Sequence, residues 1–215
     1  HWNVEDSIER EVFLRPAFAF TGRDRELRVV LAYVTNENSN VVTVIDRSTD
    51  RVVDVIEVGR QPKGIVVAPD SSRAYIVNAG SSNLTVLDVK TNRILHTANL
   101  ESAGNSTDIP IHPNGRILYI ANTALNSVTV IDATSFLTLD LIPVDRQPVA
   151  LAVDPTGTRL LVANMGANTV SVIDTGKNRV IATIAVEFQP ISVSMDPDGS
   201  RADIGRLPNQ GADRL

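Results

Sequence analysis

Cysteine is absent from the 215 residues. That excludes disulfides, thiolate zinc sites, iron–sulfur clusters and cysteine nucleophiles. Aromatic residues make up only 4% of the chain, too few for a rim of stacking platforms for sugars or bases. Histidine is confined to His1, His96 and His112, which leaves little for haem or metal ligation. No excess of positive charge exists: 20 Lys and Arg stand against 25 Asp and Glu, for a net charge of −5. Nucleic-acid binders and polybasic membrane anchors carry the opposite balance, so neither partner is expected. Long apolar runs are missing too. The longest, Val29 to Val34, has the length of a strand and falls far short of the roughly 18 residues of a membrane span. A sequence that opens on His1, with no basic and then apolar leader, is expected to be a processed chain or a fragment.

What the chain has is a repeat, the first feature to seek because it dictates the whole architecture. Ala32-Tyr33-Val34-Thr35-Asn36 returns as Ala74-Tyr75-Ile76-Val77-Asn78, as Leu118-Tyr119-Ile120-Ala121-Asn122 and as Leu160-Leu161-Val162-Ala163-Asn164. A second block follows each copy: Val42 to Asp46, Leu84 to Asp88, Val128 to Asp132 and Val170 to Asp174. Their terminal aspartates are spaced by 42, 44 and 42 residues. Each unit adds a strand-like run after the Asp turn (52–58, 94–100, 137–144, 180–186) and another before a Pro turn (65–70, 151–155, 193–199). The copy ending Ile111-His112-Pro113-Asn114-Gly115 is the least regular. Val and Ile favour a pleated surface, and Pro, Asn, Asp and Gly punctuate the runs. Four short antiparallel strands every 40–45 residues or so predict an all-β chain of β-propeller blades, about four of them here. A blade has two apolar faces and cannot bury them alone, so neighbours are obligatory.

The blocks at Tyr33 to Asn36, Val42 to Asp46 and Pro197-Asp198-Gly199, repeated over about residues 29–201, resemble the YVTN family of β-propeller repeats. The resemblance implies a propeller often of about seven blades, bacterial or archaeal, exported to the periplasm or the cell exterior. It also implies an occasional association with haem or quinone redox modules. The domain reading is a segment 1–28 left from a preceding blade, repeats over 29–201, and a polar tail 202–215. Two arrangements compete. A closed four-bladed ring would pair Pro190 to Met195 with the first blade. An open arc would take the first blade's inner strand from Pro16-Ala17-Phe18-Ala19-Phe20. The arc is favoured, because Ala202-Asp203-Ile204-Gly205-Arg206 departs from the Ala-Tyr-Val pattern.

Candidate site residues are few. Arg60 and Arg146 hold equivalent Arg-Gln-Pro positions between blades, and guanidinium suits a carboxylate or phosphate. Asp108 stands where other copies have Gly64, Ala150 and Ser192, and a carboxylate there would serve as metal ligand or general base. One acid makes no metal site, so no metal and no cofactor is expected. Asp46, Asp88, Asp132 and Asp174, Asn36 and its copies, and His112 read as turn residues. Tyr33, Tyr75 and Tyr119 read as packing, since Leu161 replaces the fourth. No nucleophile, base and orienter come together in the sequence. The preferred reading is therefore a non-enzymatic binding module with a protein or small anionic ligand as partner. The alternative is an enzyme or redox-partner propeller, lactonase-like or haem/quinone-associated, whose catalytic residues lie partly in missing blades.

Overall fold

The computed structural model describes residues 12–13, 31–100 and 105–206, all in strands, turns and their connections. Blade 1 is a sheet ordered β1 (Val12–Phe13), β2 (Leu31–Asn36), β3 (Val41–Asp46), β4 (Arg51–Glu57). Blade 2 repeats it with β5 (Pro62–Val67), β6 (Arg73–Asn78), β7 (Asn83–Asp88) and β8 (Arg93–Asn99). Blade 3 has β9 (Ile117–Asn122), β10 (Ser127–Asp132) and β11 (Thr138–Pro143). Its inner strand is reduced to bridges from Ser106 to Asn122 and from Ile111 to Leu118. The break holds Pro110, which has no N–H for a ladder. Blade 4 has β12 (Pro148–Val153), β13 (Arg159–Asn164), β14 (Thr169–Asp174) and β15 (Arg179–Ala185), and a fifth sheet pairs β16 (Pro190–Met195) with β17 (Ala202–Arg206).

This is an arc of propeller blades. β2 takes β1 as its inner neighbour, and β16 pairs with β17 instead of returning to blade 1. The stretch 16–20, expected to supply the first inner strand, lies outside the described residues. Ala202–Arg206, placed in the tail on sequence, is the second strand of the fifth sheet. Its backbone follows the same register as the equivalent strands, with Met195 opposite Ala202 where Val153 opposes Leu160.

Alternation with period 2 explains the core. Along β6, Ala74 and Ile76 face blade 1, in a cluster with Tyr33, Val44 and Ile65. Tyr75 and Val77 face blade 3, in a cluster with Ile109, Leu118 and Ile120. Tyr119, Ala121, Leu151 and Val162 build the next interface. The tyrosines do more than pack. The Tyr33 hydroxyl donates to Asn92 Oδ1 at 3.0 Å and that of Tyr75 to Ala133 O at 3.4 Å, each in the outer turn of the following blade. Burial pushes the Tyr33 and Tyr119 phenols up to about 12.

Outer strands carry most of the exposed large apolar residues. Each has a bulge at one place, where its register shifts between Val44/Ile45, Val86/Leu87, Val130/Ile131 and Val172/Ile173 of the third strand. Such a bulge twists an edge strand away from further pairing. The left-handed residues fall in the three hairpin turns (as at Ser71, Asn40 and Asp50) and in the connections between blades (as at Gln61).

Candidate functional site

The hairpin turns distribute the loops onto two faces. One face carries the turns after the inner strands and those ending in Asp; it is called the aspartate face below. The other carries the turns after the Asn-ending strands and the connections between blades, and is called the amide face.

On the aspartate face the carboxylates close their own turns. Asp46 accepts from Ser48 N and Oγ, Asp88 from Thr91 N and Oγ1, and Asp132 from Thr134 N and Ser135 N, all within 2.6–2.9 Å. These bonds hold all three carboxyls below the usual range, led by the Ser48 and Thr91 hydroxyls for Asp46 and Asp88 and by the Ser135 N–H for Asp132. Burial pushes the Asp154 carboxyl upward. The Arg159 N–H with the Thr156 and Thr158 hydroxyls outweighs it and holds that carboxyl low as well. His112, expected to be a turn residue, also reaches the next blade: its Nδ1 accepts from Asn114 N and its Nε2 lies 2.9 Å from Gly157 O. Nδ1 as acceptor makes Nε2 the protonated donor.

On the amide face the terminal asparagines, read as turn residues on sequence, are not the left-handed residues of their turns. The left-handed residue comes four later, at Asn40, Ser82, Asn126 and Asn168. Each terminal amide instead reaches diagonally across its hairpin: Asn36 to Thr43, Asn78 to Thr85, Asn122 to Thr129 and Asn164 to Ser171, at 2.6–2.9 Å. The Oδ1 atoms of Asn78 and Asn164 are buried with no donor. That of Asn122 receives the Ser106 hydroxyl at 3.3 Å. The difference follows from the inner strand, which places Pro62 and Pro148 opposite Asn78 and Asn164 but Ser106 opposite Asn122.

Arg60 and Arg146 lie on this face, in connections clamped the same way. Gln61 N and Gln147 N donate to Asn40 Oδ1 and Asn126 Oδ1 at 2.9 and 3.0 Å. Gly80 N and Gly166 N donate to the carbonyls of Arg60 and Arg146 at 3.0 and 3.1 Å. Both arginine side chains are exposed, and neither guanidinium makes an ion pair or hydrogen bond among the described residues. Arg146 lines a polar cleft of about 360 Å³ with Thr123, Ala124, Asn126, Gln147 and Gly166. Asp108 belongs elsewhere, between inner strands. A Cβ on Gly64 would stand 2.8 Å from the Asp108 Cα, which is why position 64 is glycine. The Asp108 Oδ1 accepts from Ile109 N and its Oδ2 from Leu151 N of blade 4, both at 2.8 Å.

The model of the lactonase, seven-bladed β-propeller family matches residues 51–180. The chain belongs to this family. Among solved structures it is similar to hydrazine synthase of Kuenenia stuttgartiensis, with a TM-score of 0.75 and 24% identity over 81% of this chain and 51% of that one. It is also similar to a functionally unknown protein from Desulfotomaculum acetoxidans DSM 771, with a TM-score of 0.73 and 18% identity over 82% of this chain and 59% of that one. At these identities the likeness is one of fold, and the chain spans little more than half the length of either. No curated protein matches the sequence.

Membership of the lactonase family makes the acids the first residues to weigh, since a fold alone assigns no chemistry. Among the described residues no three His, Asp or Glu side chains come together as metal ligands. Asp108 spends an oxygen on each of two backbone N–H groups, and works in this structure as a staple between blades 3 and 4. Sequence reasoning grouped Arg60 with Arg146 and missed what separates them, namely the opposite wall, which a different segment supplies. The signal was present in the residue after each terminal Asn: Glu37 at one junction, Thr123 at the other.

Proposed function

We propose that this lactonase-family chain is a non-enzymatic binding or interaction module built of YVTN-type repeats, acting outside the cytoplasm. In this reading it is a scaffold that presents its amide face to a protein or a small anionic ligand. One observation carries the reading. The aspartates of one face are consumed in their own turns, while the other face holds two guanidinium groups on clamped backbone, neither of them in an ion pair or hydrogen bond among the described residues. Retention on phosphocellulose tests it. Arg60→Glu with Arg146→Glu should elute at clearly lower salt than the parent. Arg51→Glu with Arg179→Glu, an equal charge change at aspartate-face turns, should elute between the two. Equal elution of both double variants would sink the assignment of the face.

Family membership favours a second reading, lactone hydrolysis. Rate measurements with δ-gluconolactone in a pH-stat are expected to stay at the uncatalysed rate. Turnover that Asp108→Asn abolishes would replace the binding reading with the enzymatic one.

A further inference from the structure

The repeat supplies its own controls for the cleft between blades 3 and 4. Its back wall is the clamped connection of Arg146 and Gln147, and its front wall is the turn from Thr123 to Asn126. The backbone on both walls is fixed. Met165 N donates to Gln147 O at 2.9 Å, Gly166 N to Arg146 O at 3.1 Å, and the Thr123 hydroxyl to Pro148 O at 2.8 Å. Hydrogen-bond donors remain unspent: the Arg146 guanidinium and the NH2 groups of Asn126 and Gln147 make no bond among the described residues. No acid lines the cleft. The neighbouring Asp145 has its Oδ2 engaged by the Thr169 hydroxyl at 2.6 Å.

Equivalent junctions lack one part or another of this set. Between blades 1 and 2, Arg60, Gln61, Asn40 and Gly80 reproduce the back wall, but Glu37 stands in place of Thr123 and pairs with Lys63 at 3.3 Å. A carboxylate on that wall repels an anion. Between blade 4 and the fifth sheet, Phe188 stands in place of Arg146, so the cation is gone. We infer that the blade 3–4 cleft is a binding site for a small oxyanion, a carboxylate or phosphate group, held by the Arg146 guanidinium with the Asn126 and Gln147 amides. Planar guanidinium offers paired donors to either group, and preformed walls lower the ordering cost of binding. The inference rests on the amide face being the binding face and names the ligand chemistry there.

Calorimetric titration of the whole chain tests it at about 0.15 M salt, where long-range attraction is screened. The probes are inorganic phosphate and succinate in separate arms, which tell a phosphate site from a carboxylate site. The expected result is saturable binding of at least one probe, weakened about tenfold or more by Arg146→Gln and unchanged by Arg179→Gln on the aspartate face. Thr123→Glu, which imports the Glu37 wall, should abolish binding while the melting temperature reports that the fold persists. Binding of neither probe, or equal loss in Arg179→Gln and Arg146→Gln, would overturn the site. Lactone turnover that persists in Arg146→Gln would remove the non-enzymatic reading and leave the oxyanion result to be judged on its own.

Discussion

The two faces of the arc use one backbone plan and opposite side-chain chemistry. On the aspartate face a carboxylate folds back on the N–H groups of its own turn, and nearby cations complete the neutralisation. Arg47 pairs with Asp50 at 2.6 Å and Lys177 with Asp174 at 3.2 Å. On the amide face a neutral carboxamide does the same work across the hairpin. Neutral amides leave no charge behind, so a cation in the adjoining connection has nothing to pair with unless the sequence adds an acid, as Glu37 does for Lys63. The lesson is that turn chemistry fixes which face has charge to spare.

Acid separates the faces most strongly. The folded carboxyls of Asp46, Asp70, Asp88, Asp132 and Asp198 lie below their ordinary values. The folded state therefore binds protons less readily than the unfolded chain, whose carboxyls titrate near about 4. The stability they contribute is fully present above that value and is lost as pH falls through the lower folded values. Melting temperature should be level from about pH 7 to 5 and fall steeply below about 4. A decline that begins near pH 6 would point to some other group.

A single methyl group probes the same face next. Gly157 has φ +76°, and a Cβ there would run into His112 Nε2. Gly157→Ala adds left-handed strain to the loss of the His112 contact, an expected cost of about 2–4 kcal/mol. Gly115 has φ +73° but only Pro69 Cδ nearby, at 3.7 Å. Gly115→Ala should then cost about 1–2 kcal/mol from strain alone. Equal losses in denaturant unfolding would remove His112 as a link between blades.

On the amide face, Asn122 uses both ends of its carboxamide and Asn164 only its NH2 group. Asn122→Ala is expected to cost about 2–3 kcal/mol, and Asn164→Ala about 1 kcal/mol less, because each change breaks two side-chain hydrogen bonds but only Asn164→Ala also removes a buried oxygen that has no donor. Chemical denaturation midpoints of the two variants decide it. The reverse order would mean that the Ser106 hydroxyl adds nothing.

Most of the fold was legible in the residues. Strand periodicity, the Asp turns and the apolar inner strands all come from local preferences that repeat. The open arc was legible as well; β2 takes Val12–Phe13 as its inner neighbour, and the stretch 16–20 expected there lies outside the described residues. The cross-hairpin bonds left a trace, a hydroxyl seven residues after every terminal Asn, which is the diagonal spacing of their register. The tyrosine links left none, because acceptors such as Ala133 O are carbonyls of the next blade. Ala202–Arg206 was illegible for a related reason. A strand held by its backbone register tolerates Asp203 and Gly205 once β16 is in place. The cleft depends on two segments 20-odd residues apart in sequence (Thr123 and Arg146), and only folding sets them opposite each other.

The smallest expected effect is also the sharpest contrast. Gly166 on the amide face is as crowded as Gly157: a Cβ would lie 2.6 Å from Gln147 Oε1. The crowding atom is the free end of an exposed side chain, and the φ of Gly166 is not left-handed. Gly166→Ala should therefore cost less than about 1 kcal/mol, since Gln147 can swing away. The swing moves one of the amides assigned to the oxyanion, so affinity for the bound probe should fall several-fold while the melting temperature holds. A large stability loss would show Gln147 to be a structural strut, and the two faces would then differ less than their chemistry implies.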